Sequence, residues 1–89
     1  MEQGRLNTKQ RRTLESIFHN PVLPTIRYSE VERLLVSLGC ELREGRGSRV
    51  RFKLGKERLN LHKPHPAPTL KPYQIRNIRK FLHQIGLTR

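Results

Sequence analysis

The feature that most constrains the fold is the alternation of apolar and polar residues between Cys40 and His62. It forms three runs, which are separated by glycine-containing breaks at residues 45–47 and 55–56. Successive side chains of a strand point to opposite faces of a sheet, so each run predicts a half-buried strand. A three-residue loop and a two-residue loop with glycine first are both typical of β-hairpins. The segment therefore predicts a three-stranded antiparallel meander.

The lengths of the two loops also predict which residues lie opposite each other. The two-residue loop places Arg49 opposite His62 and Lys53 opposite Arg58. The three-residue loop places Arg43 opposite Arg49. With this register, every apolar residue of the three strands lies on one face of the sheet, and every polar residue lies on the other.

Helical signals flank the meander on both sides. Near the beginning of the chain, Asn7 and Gln10 have the spacing of a capping box for a short first helix. Ser29 is the expected N-cap of a second helix over residues 30–38, whose apolar residues recur on one helical face. Pro72 suits the first turn of the last helix. The predicted order is α-α-β-β-β-α, an α+β two-layer domain with helices over the apolar face of the sheet.

The chain of 89 residues is strongly basic, with 19 Lys and Arg residues against 7 Glu, no Asp and a formal charge of +12. Its content of Leu, Ile, Val and Phe exceeds the roughly 20% below which highly charged chains stay disordered, so one small packed domain is expected. No apolar run approaches the roughly 20 residues of a membrane span, and a single cysteine excludes a disulfide scaffold. We expect a cytoplasmic protein with a polyanionic partner, most often nucleic acid. An acidic protein partner is the alternative.

The open face of the predicted sheet is strongly cationic. It carries one acidic residue, Glu41, and six basic ones: Arg43, Arg49, Arg51, Lys53, Arg58 and His62. Like charges that face each other across two strands destabilise a sheet by about 0.2–1 kcal/mol each, and the predicted register contains two such pairs. A phosphate-binding surface explains this arrangement, because phosphate contacts dominate affinity for nucleic acids. A solvated face with splayed side chains is the alternative interpretation.

His62 is the candidate catalytic residue. A histidine titrates near neutral pH and can act as a general base. RNA carries its own nucleophile, the 2′-hydroxyl group, so a metal-free ribonuclease needs only a base and cations that stabilise the charge of the transition state. His62 beside Arg49 supplies both. A surface histidine without a role is the alternative.

No metal or other cofactor is predicted. His62 and His65 alone make a weak metal site, since zinc sites need three or four protein ligands. The single cysteine, Cys40, is expected in the core. The lack of Asp excludes a Ser-His-Asp triad, and the glycine-containing loop at residues 45–48 is too short for a P-loop.

From about Tyr28 to Leu87 the sequence resembles the HicA family of toxins from bacterial toxin–antitoxin modules. The resemblance is carried by the helix ending in Leu38-Gly39, the run Gly47-Ser48-Arg49-Val50-Arg51-Phe52, the strand leading to His62-Lys63-Pro64-His65-Pro66, and the end of the last helix at residues 78–87. The Gly-Ser pair at the second strand and the end of the last helix are its most specific parts.

The resemblance implies a fold like that of double-stranded-RNA-binding domains, an mRNA-cleaving activity that needs no cofactor, and neutralisation by a HicB antitoxin. The family's usual pattern is Gly-Ser-His, with that histidine as the catalytic residue, whereas this chain has Arg49 at the position. The sequence is similar to a branch with Gly-Ser-Arg. We therefore expect His62 to act as the base and Arg49 to hold the phosphate.

Further residues are expected to bind the RNA. They are Arg43, Arg51, Lys53, Arg58, Lys63 and His65. Residues 28–89 are expected to form the domain that binds and cleaves RNA. Residues 1–27 are expected to add a helix and a connector, which dock on this domain or mediate pairing.

The expected partners are mRNA and a HicB-type antitoxin whose acidic residues mask Arg49, Arg51 and His62. Two alternatives remain open. One is an RNA-binding protein that uses the same face without cleavage. The other is a DNA-binding protein, either within an antitoxin complex or directly, through basic residues of the last helix. Those residues are Arg76, Arg79 and Lys80.

Overall fold

The computed structural model of the protein describes residues 6–87. The helices and strands are α1 (Thr8–Ile17), α2 (Tyr28–Ser37), β1 (Glu41–Glu44), β2 (Arg49–Leu54), β3 (Glu57–His62) and α3 (Pro72–Gln84). The three strands form one antiparallel sheet in the order β1-β2-β3. The prediction of an α+β domain with the order α-α-β-β-β-α is confirmed.

The first helix begins with the predicted capping box. The Asn7 side chain accepts a hydrogen bond from the Gln10 backbone N–H (2.8 Å), and the Gln10 side chain accepts one from the Asn7 N–H (3.2 Å). These bonds satisfy two of the backbone N–H groups that a helix leaves free at its start. Residues 1–5, which belong to the expected N-terminal helix and connector of residues 1–27, lie outside the described residues.

The second helix begins earlier than predicted, so the assignment of Ser29 as its N-cap is wrong. The N-cap is Arg27, whose backbone N–H donates to the Glu30 carboxylate (3.1 Å). The cause is tertiary: Arg27 pairs with Thr69 in an isolated β-bridge, and the Tyr28 N–H donates to a carbonyl of the proline-rich connector. This pairing holds Arg27 extended, and the helix begins at the next residue.

A glycine with a positive φ angle follows each of the helices α2 and α3. Gly39 and Gly86 follow the two helices with φ angles of 101° and 99°, a left-handed conformation that residues with a Cβ rarely adopt. The next N–H groups turn back onto the helices: Cys40 donates to the Leu35 carbonyl (3.1 Å) and Leu87 donates to the Leu82 carbonyl (2.8 Å). Gly39 thus ends α2, and Gly86 ends α3.

The predicted register between β2 and β3 is confirmed. Arg49 lies opposite His62, and Lys53 lies opposite Arg58. Gly55, the first residue of the two-residue loop, has a φ of 61°, as a tight hairpin turn requires of its glycine. The sheet therefore has the expected faces, with Phe52 buried and Lys53 exposed.

The predicted register between β1 and β2 is wrong by two residues. Arg43 lies opposite Arg51 rather than Arg49. The Gly45 N–H donates to the Arg49 carbonyl (2.8 Å), so the three-residue loop is 46–48 rather than 45–47. Gly47 adopts the positive φ within it, 63°. Because the shift is an even number of residues, every side chain keeps its predicted face.

One hydrophobic core lies between the sheet and the helices. Phe52 of β2 and Phe81 of α3 are among its largest fully buried side chains. α3 packs on β3, and α1 packs on α2 and α3, with Ile17 in the same core. Cys40 is buried, as predicted, and burial raises the pKa of its thiol to about 11. The helices thus cover the apolar face and leave the cationic face open.

Arg79 of α3 ties the first helix to the rest of the domain. Its Nε donates to the Ile17 carbonyl (2.6 Å), and its Nη2 donates to the His19 carbonyl (2.5 Å). Carbonyls at a helix C-terminus have no partner within the helix, and a cation there also complements the helix dipole. Arg79 therefore has a structural role, whereas Arg76 on the same helix is exposed.

Replacing this arginine tests how α1 is held. We expect Arg79→Ala to lower the free energy of unfolding by about 1–3 kcal/mol, because two charge-assisted hydrogen bonds are lost. The matched control, Arg76→Ala, is expected to change it by less than about 0.5 kcal/mol, as exposed substitutions usually do. Urea denaturation followed by circular dichroism measures both. Equal effects of the two substitutions would show that Arg79 does not hold α1.

Candidate functional site

An open cleft of about 620 Å³ lies on the cationic face, at the end of the sheet next to the β1–β2 loop. Four arginines and a histidine line it: Arg43, Arg46, Arg49, Arg51 and His62. The amide of Asn60 and the acidic Glu44 complete the polar lining. We refer to it below as the arginine cleft. It brings together both predicted catalytic residues and two of the residues predicted to bind RNA.

Arg49 and His62 are neighbours across the β2–β3 ladder. The Lys63 N–H donates to the Ser48 carbonyl just beyond them (2.8 Å). Hydrogen-bonded and non-hydrogen-bonded pairs alternate along an antiparallel ladder, so Arg49 and His62 form a pair of the second kind. Facing side chains are closest in such pairs, with Cα atoms about 4.5 Å apart. Both side chains are exposed to solvent and therefore accessible to a substrate.

The like-charge pairs of the open face differ from the prediction in one member. Lys53 faces Arg58 as expected, and it also faces Glu41 on the other side, which offsets its charge. Arg43 faces Arg51, and the Arg51 Nε donates to the Asn60 side-chain oxygen (3.3 Å). Arg43 and Arg51 therefore repel each other without a facing carboxylate, and both line the arginine cleft.

Four of the residues expected to bind RNA lie outside the arginine cleft: Lys53 and Arg58 farther along the same face of the sheet, and Lys63 and His65 beyond the end of β3. The Lys63 ammonium forms an ion pair with Glu44 (3.0 Å) and lies 6.0 Å from the centre of the Tyr28 ring. The alternation of side chains along β3 directs Lys63 toward the helix side of the sheet. His65 is exposed in the connector between β3 and α3 and does not line the cleft.

Tyr28 is not a candidate acid or base for this site. Burial, and then the neighbouring Glu32 carboxylate, raise the pKa of its hydroxyl well above its usual range. The hydroxyl thus stays protonated at neutral pH. The residue is 8% exposed, and its ring packs in the core beneath Lys63.

Gln74 supports the site from the core, and sequence reasoning missed it. It is one of the few buried polar side chains, with 4% of its surface exposed. Its Nε2 donates to the His62 carbonyl (2.9 Å), and its Oε1 accepts from the Lys71 N–H (3.3 Å). The glutamine thus fixes the end of β3, where His62 lies, to the start of α3. Its position on the otherwise apolar face of α3, four residues before Ile78, was the available signal.

Arg46 and Asn60 were also missed as members of the cleft. Arg46 is in the β1–β2 loop, where no alternation indicates a face. Asn60 is uncharged, so it was not among the cations predicted to bind RNA, although it lies opposite Arg51 in the ladder. Only the pairing of the strands shows that both residues line the same cleft as His62.

Residues 6–87 contain no group of three or more His, Cys, Asp or Glu side chains with an arrangement suited to a metal ion. In the same part of the chain, no helix combines the length and the hydrophobicity of a membrane-spanning segment.

The model of one protein family, the HicA toxin of bacterial toxin–antitoxin systems, matches residues 28–87, about two-thirds of the chain. The chain belongs to the HicA toxin family. The match begins at the first residue of α2 and includes the sheet and α3, so α1 lies outside it. No curated protein and no solved structure matches the chain. Membership identifies this HicA protein as the toxin of a toxin–antitoxin pair, with an antitoxin as its partner.

Removing the Gln74 amide tests its hold on β3. In the HicA protein, we expect Gln74→Met to lower the free energy of unfolding by about 1–3 kcal/mol, because the partly buried His62 carbonyl loses its donor. Amide hydrogen exchange should also accelerate locally at Lys63, next to the released carbonyl. Gln84→Met, at an exposed glutamine of the same helix, is the matched control. Unchanged exchange at Lys63 in the Gln74 variant would contradict the proposed hold.

Neutralising Arg43 tests the repulsion within the cleft. We expect Arg43→Gln to raise the free energy of unfolding by about 0.2–1 kcal/mol at low ionic strength. The gain should shrink at about 1 M salt, where the Debye length falls to about 3 Å. Urea denaturation at the two salt concentrations measures it. The control, Arg33→Gln, changes an exposed cation of α2 and should give no gain. A gain that persists unchanged at high salt would show that Arg43 and Arg51 do not repel each other.

Proposed function

We propose that this toxin is an endoribonuclease that cleaves mRNA without a metal ion and is neutralised by a HicB-type antitoxin. The observation that carries the proposal is the pairing of His62 with Arg49 inside the arginine cleft. A base, a fixed cation beside it and a surface that attracts phosphate are the groups that such a reaction needs. Family membership supports the proposal independently, since the chain is a HicA toxin.

His62 acts as the base in the proposed reaction. Its imidazole takes the proton of a ribose 2′-hydroxyl, and the 2′-oxygen attacks the adjacent phosphorus. The bond from phosphorus to the 5′-oxygen of the next nucleotide then breaks, and that oxygen takes up a proton from water. The products are a 2′,3′-cyclic phosphate and a free 5′-hydroxyl. A positioned base contributes about 10²- to 10⁴-fold to such a rate.

Arg49 stabilises the charge that develops on the phosphoryl oxygens. A guanidinium stays protonated throughout and can donate two parallel hydrogen bonds to a phosphate. The three other arginines of the cleft surround the same position and add to the positive potential there. Removing one such group costs about 10²- to 10³-fold in rate in comparable sites.

We expect the RNA to extend beyond the cleft along Lys53 and Arg58, which continue the cationic face toward the other end of the sheet. His65 lies on the connector that follows His62 and is available to a longer substrate. Lys63 takes part through the ion pair with Glu44, which links the end of β3 to the end of β1 across β2.

A HicB-type antitoxin is the proposed partner. An inhibitor of this site has to place carboxylates against the arginine cleft, and such complementarity accelerates association and selects the partner. Because mRNA is the proposed substrate, the proposed location is the cytoplasm. We assign RNA binding and cleavage to residues 28–89, with residues 1–27 contributing a helix that packs on this part.

The position usual for the family's catalytic histidine holds Arg49 in this chain, and this keeps one other function open, binding of RNA without cleavage. Direct binding of DNA by α3 has less support, because the Arg79 guanidinium bonds to carbonyls at the end of α1. Only Arg76 and Lys80 of the three expected cations are exposed on that helix.

Cleavage of single-stranded RNA in the presence of EDTA tests the proposal. We expect the wild-type protein to cleave, and His62→Ala to lower the rate at least about 100-fold, since a general base is removed. The 2′,3′-cyclic phosphate end is identified by mass spectrometry. The substitution removes an exposed ring, and the backbone carbonyl that Gln74 binds remains in place.

The matched control is His19→Ala, at an exposed histidine that follows α1. It is expected to cleave at the wild-type rate and to arrest growth as the wild type does, whereas cells that express His62→Ala keep growing. Full cleavage by His62→Ala would overturn the assignment of the base. Retention of RNA without cleavage by the wild type would instead identify a binding protein.

A further inference from the structure

A second groove, of about 340 Å³, lies between β3 and α3. Five polar side chains form its walls: Arg58, Asn60, Asn77, Lys80 and Gln84. All five are exposed, while Leu59 and Phe81 lie buried at its floor. We refer to it as the α3–β3 groove. None of its lining residues is acidic.

Three of the wall residues form one stripe along α3. Asn77, Lys80 and Gln84 have the spacing i, i+3 and i+7, which places them on one side of a helix. On the strand side, Arg58 and Asn60 both belong to the open face of the sheet. The groove therefore joins the open face of the sheet to the flank of α3.

The groove is continuous with the arginine cleft. Asn60 lines both, and it is two residues from His62 along β3. From His62 to Arg58 the strand advances four residues, or about 13 Å at its usual rise. A ligand held at His62 can therefore pass Asn60 and reach Lys80 without leaving the protein surface.

The side-chain types of the groove match a nucleic acid strand. Two cations, Arg58 and Lys80, suit phosphates, and three amides offer both donors and acceptors to the edges of bases. Single-stranded RNA exposes those edges, whereas a deep, narrow major groove hides them in an RNA duplex. An ionised carboxylate only accepts hydrogen bonds, so the acceptor oxygens of the three amides have no complement in it and favour RNA over an acidic protein ligand.

We infer that the α3–β3 groove binds the single-stranded RNA segment that flanks the scissile phosphate. This inference rests on the proposed function for the position of the cleavage site and extends it with a subsite for the substrate. Lys80 contacts a phosphate of the flanking segment. Asn77 and Gln84 contact its bases, which gives the enzyme a preference for sequence at a distance from the bond it breaks.

The test is the dependence of affinity on RNA length. The probes are single-stranded 2′-O-methyl RNAs of about 4 to about 16 nucleotides, a range typical of single-strand sites. They lack the 2′-hydroxyl, so the full-length protein cannot cleave them. We expect Asn77→Ala/Lys80→Ala/Gln84→Ala to lower the affinity for the long probe about tenfold or more, with little change for the short one. Fluorescence anisotropy measures the affinity.

The matched control is Arg76→Ala, which removes one exposed cation from α3 outside the groove. This variant is expected to bind the long probe within about twofold of the wild-type affinity, because Arg76 does not contact the proposed RNA segment. Because the three substituted side chains are exposed, the triple variant is expected to unfold at the wild-type temperature. A loss of affinity equal for both probe lengths would overturn the inference. The inference would also be overturned if the triple variant bound RNA with wild-type affinity but bound an acidic antitoxin more weakly.

Failure of the inference and failure of the proposed function give different results. If the triple variant binds and cleaves long RNA as the wild type does while His62→Ala is inactive, the groove is not an RNA site and the catalytic assignment stands. If His62→Ala cleaves fully but the triple variant loses affinity for long probes, the groove binds RNA and the catalytic assignment fails.

Discussion

The β2–β3 ladder is the constraint on which the candidate site depends. Its register places Arg49 opposite His62 and, with the same alternation, buries Phe52 in the core. A shift by one residue would exchange the two faces and expose the apolar side chains, so the core and the site are fixed by the same pairing. The tight turn at Gly55 sets that pairing locally. The proposed chemistry thus depends on the same strand pairing that buries the core.

The cationic face has a cost that the rest of the domain offsets. Arg43 and Arg51 face each other with no carboxylate between them, and repulsion of this kind weakens a strand pair. The opposite face of the sheet is buried against the helices, and Arg79 holds α1 against α3. Gln74 adds a fixed point at the end of β3. The side of the molecule that stabilises the fold is therefore separate from the side that we propose meets the substrate.

Much of the fold could be predicted because local rules determine it. The capping box at Asn7, the glycine after α2 and the β2–β3 register depend on neighbouring residues alone. Two predictions failed, one because a distant contact decided the outcome and the other because the local pattern fits two positions of the loop. The start of α2 depends on pairing of Arg27 with Thr69, and the β1–β2 register depends on how the Gly45 N–H bonds to the Arg49 carbonyl. A three-residue loop can be placed in two ways that keep the same faces, and alternation cannot distinguish them.

For the site, the sequence by itself determined which side chains share the open face and that His62 meets Arg49. Both follow from the period of two along a strand and from the length of one turn. The tertiary structure decided what surrounds them: it added Arg46 and Asn60 to the cleft and directed Lys63 to Glu44. It also brought α3 beside β3, because the apolar face of a helix can be buried only against a partner that is distant in sequence.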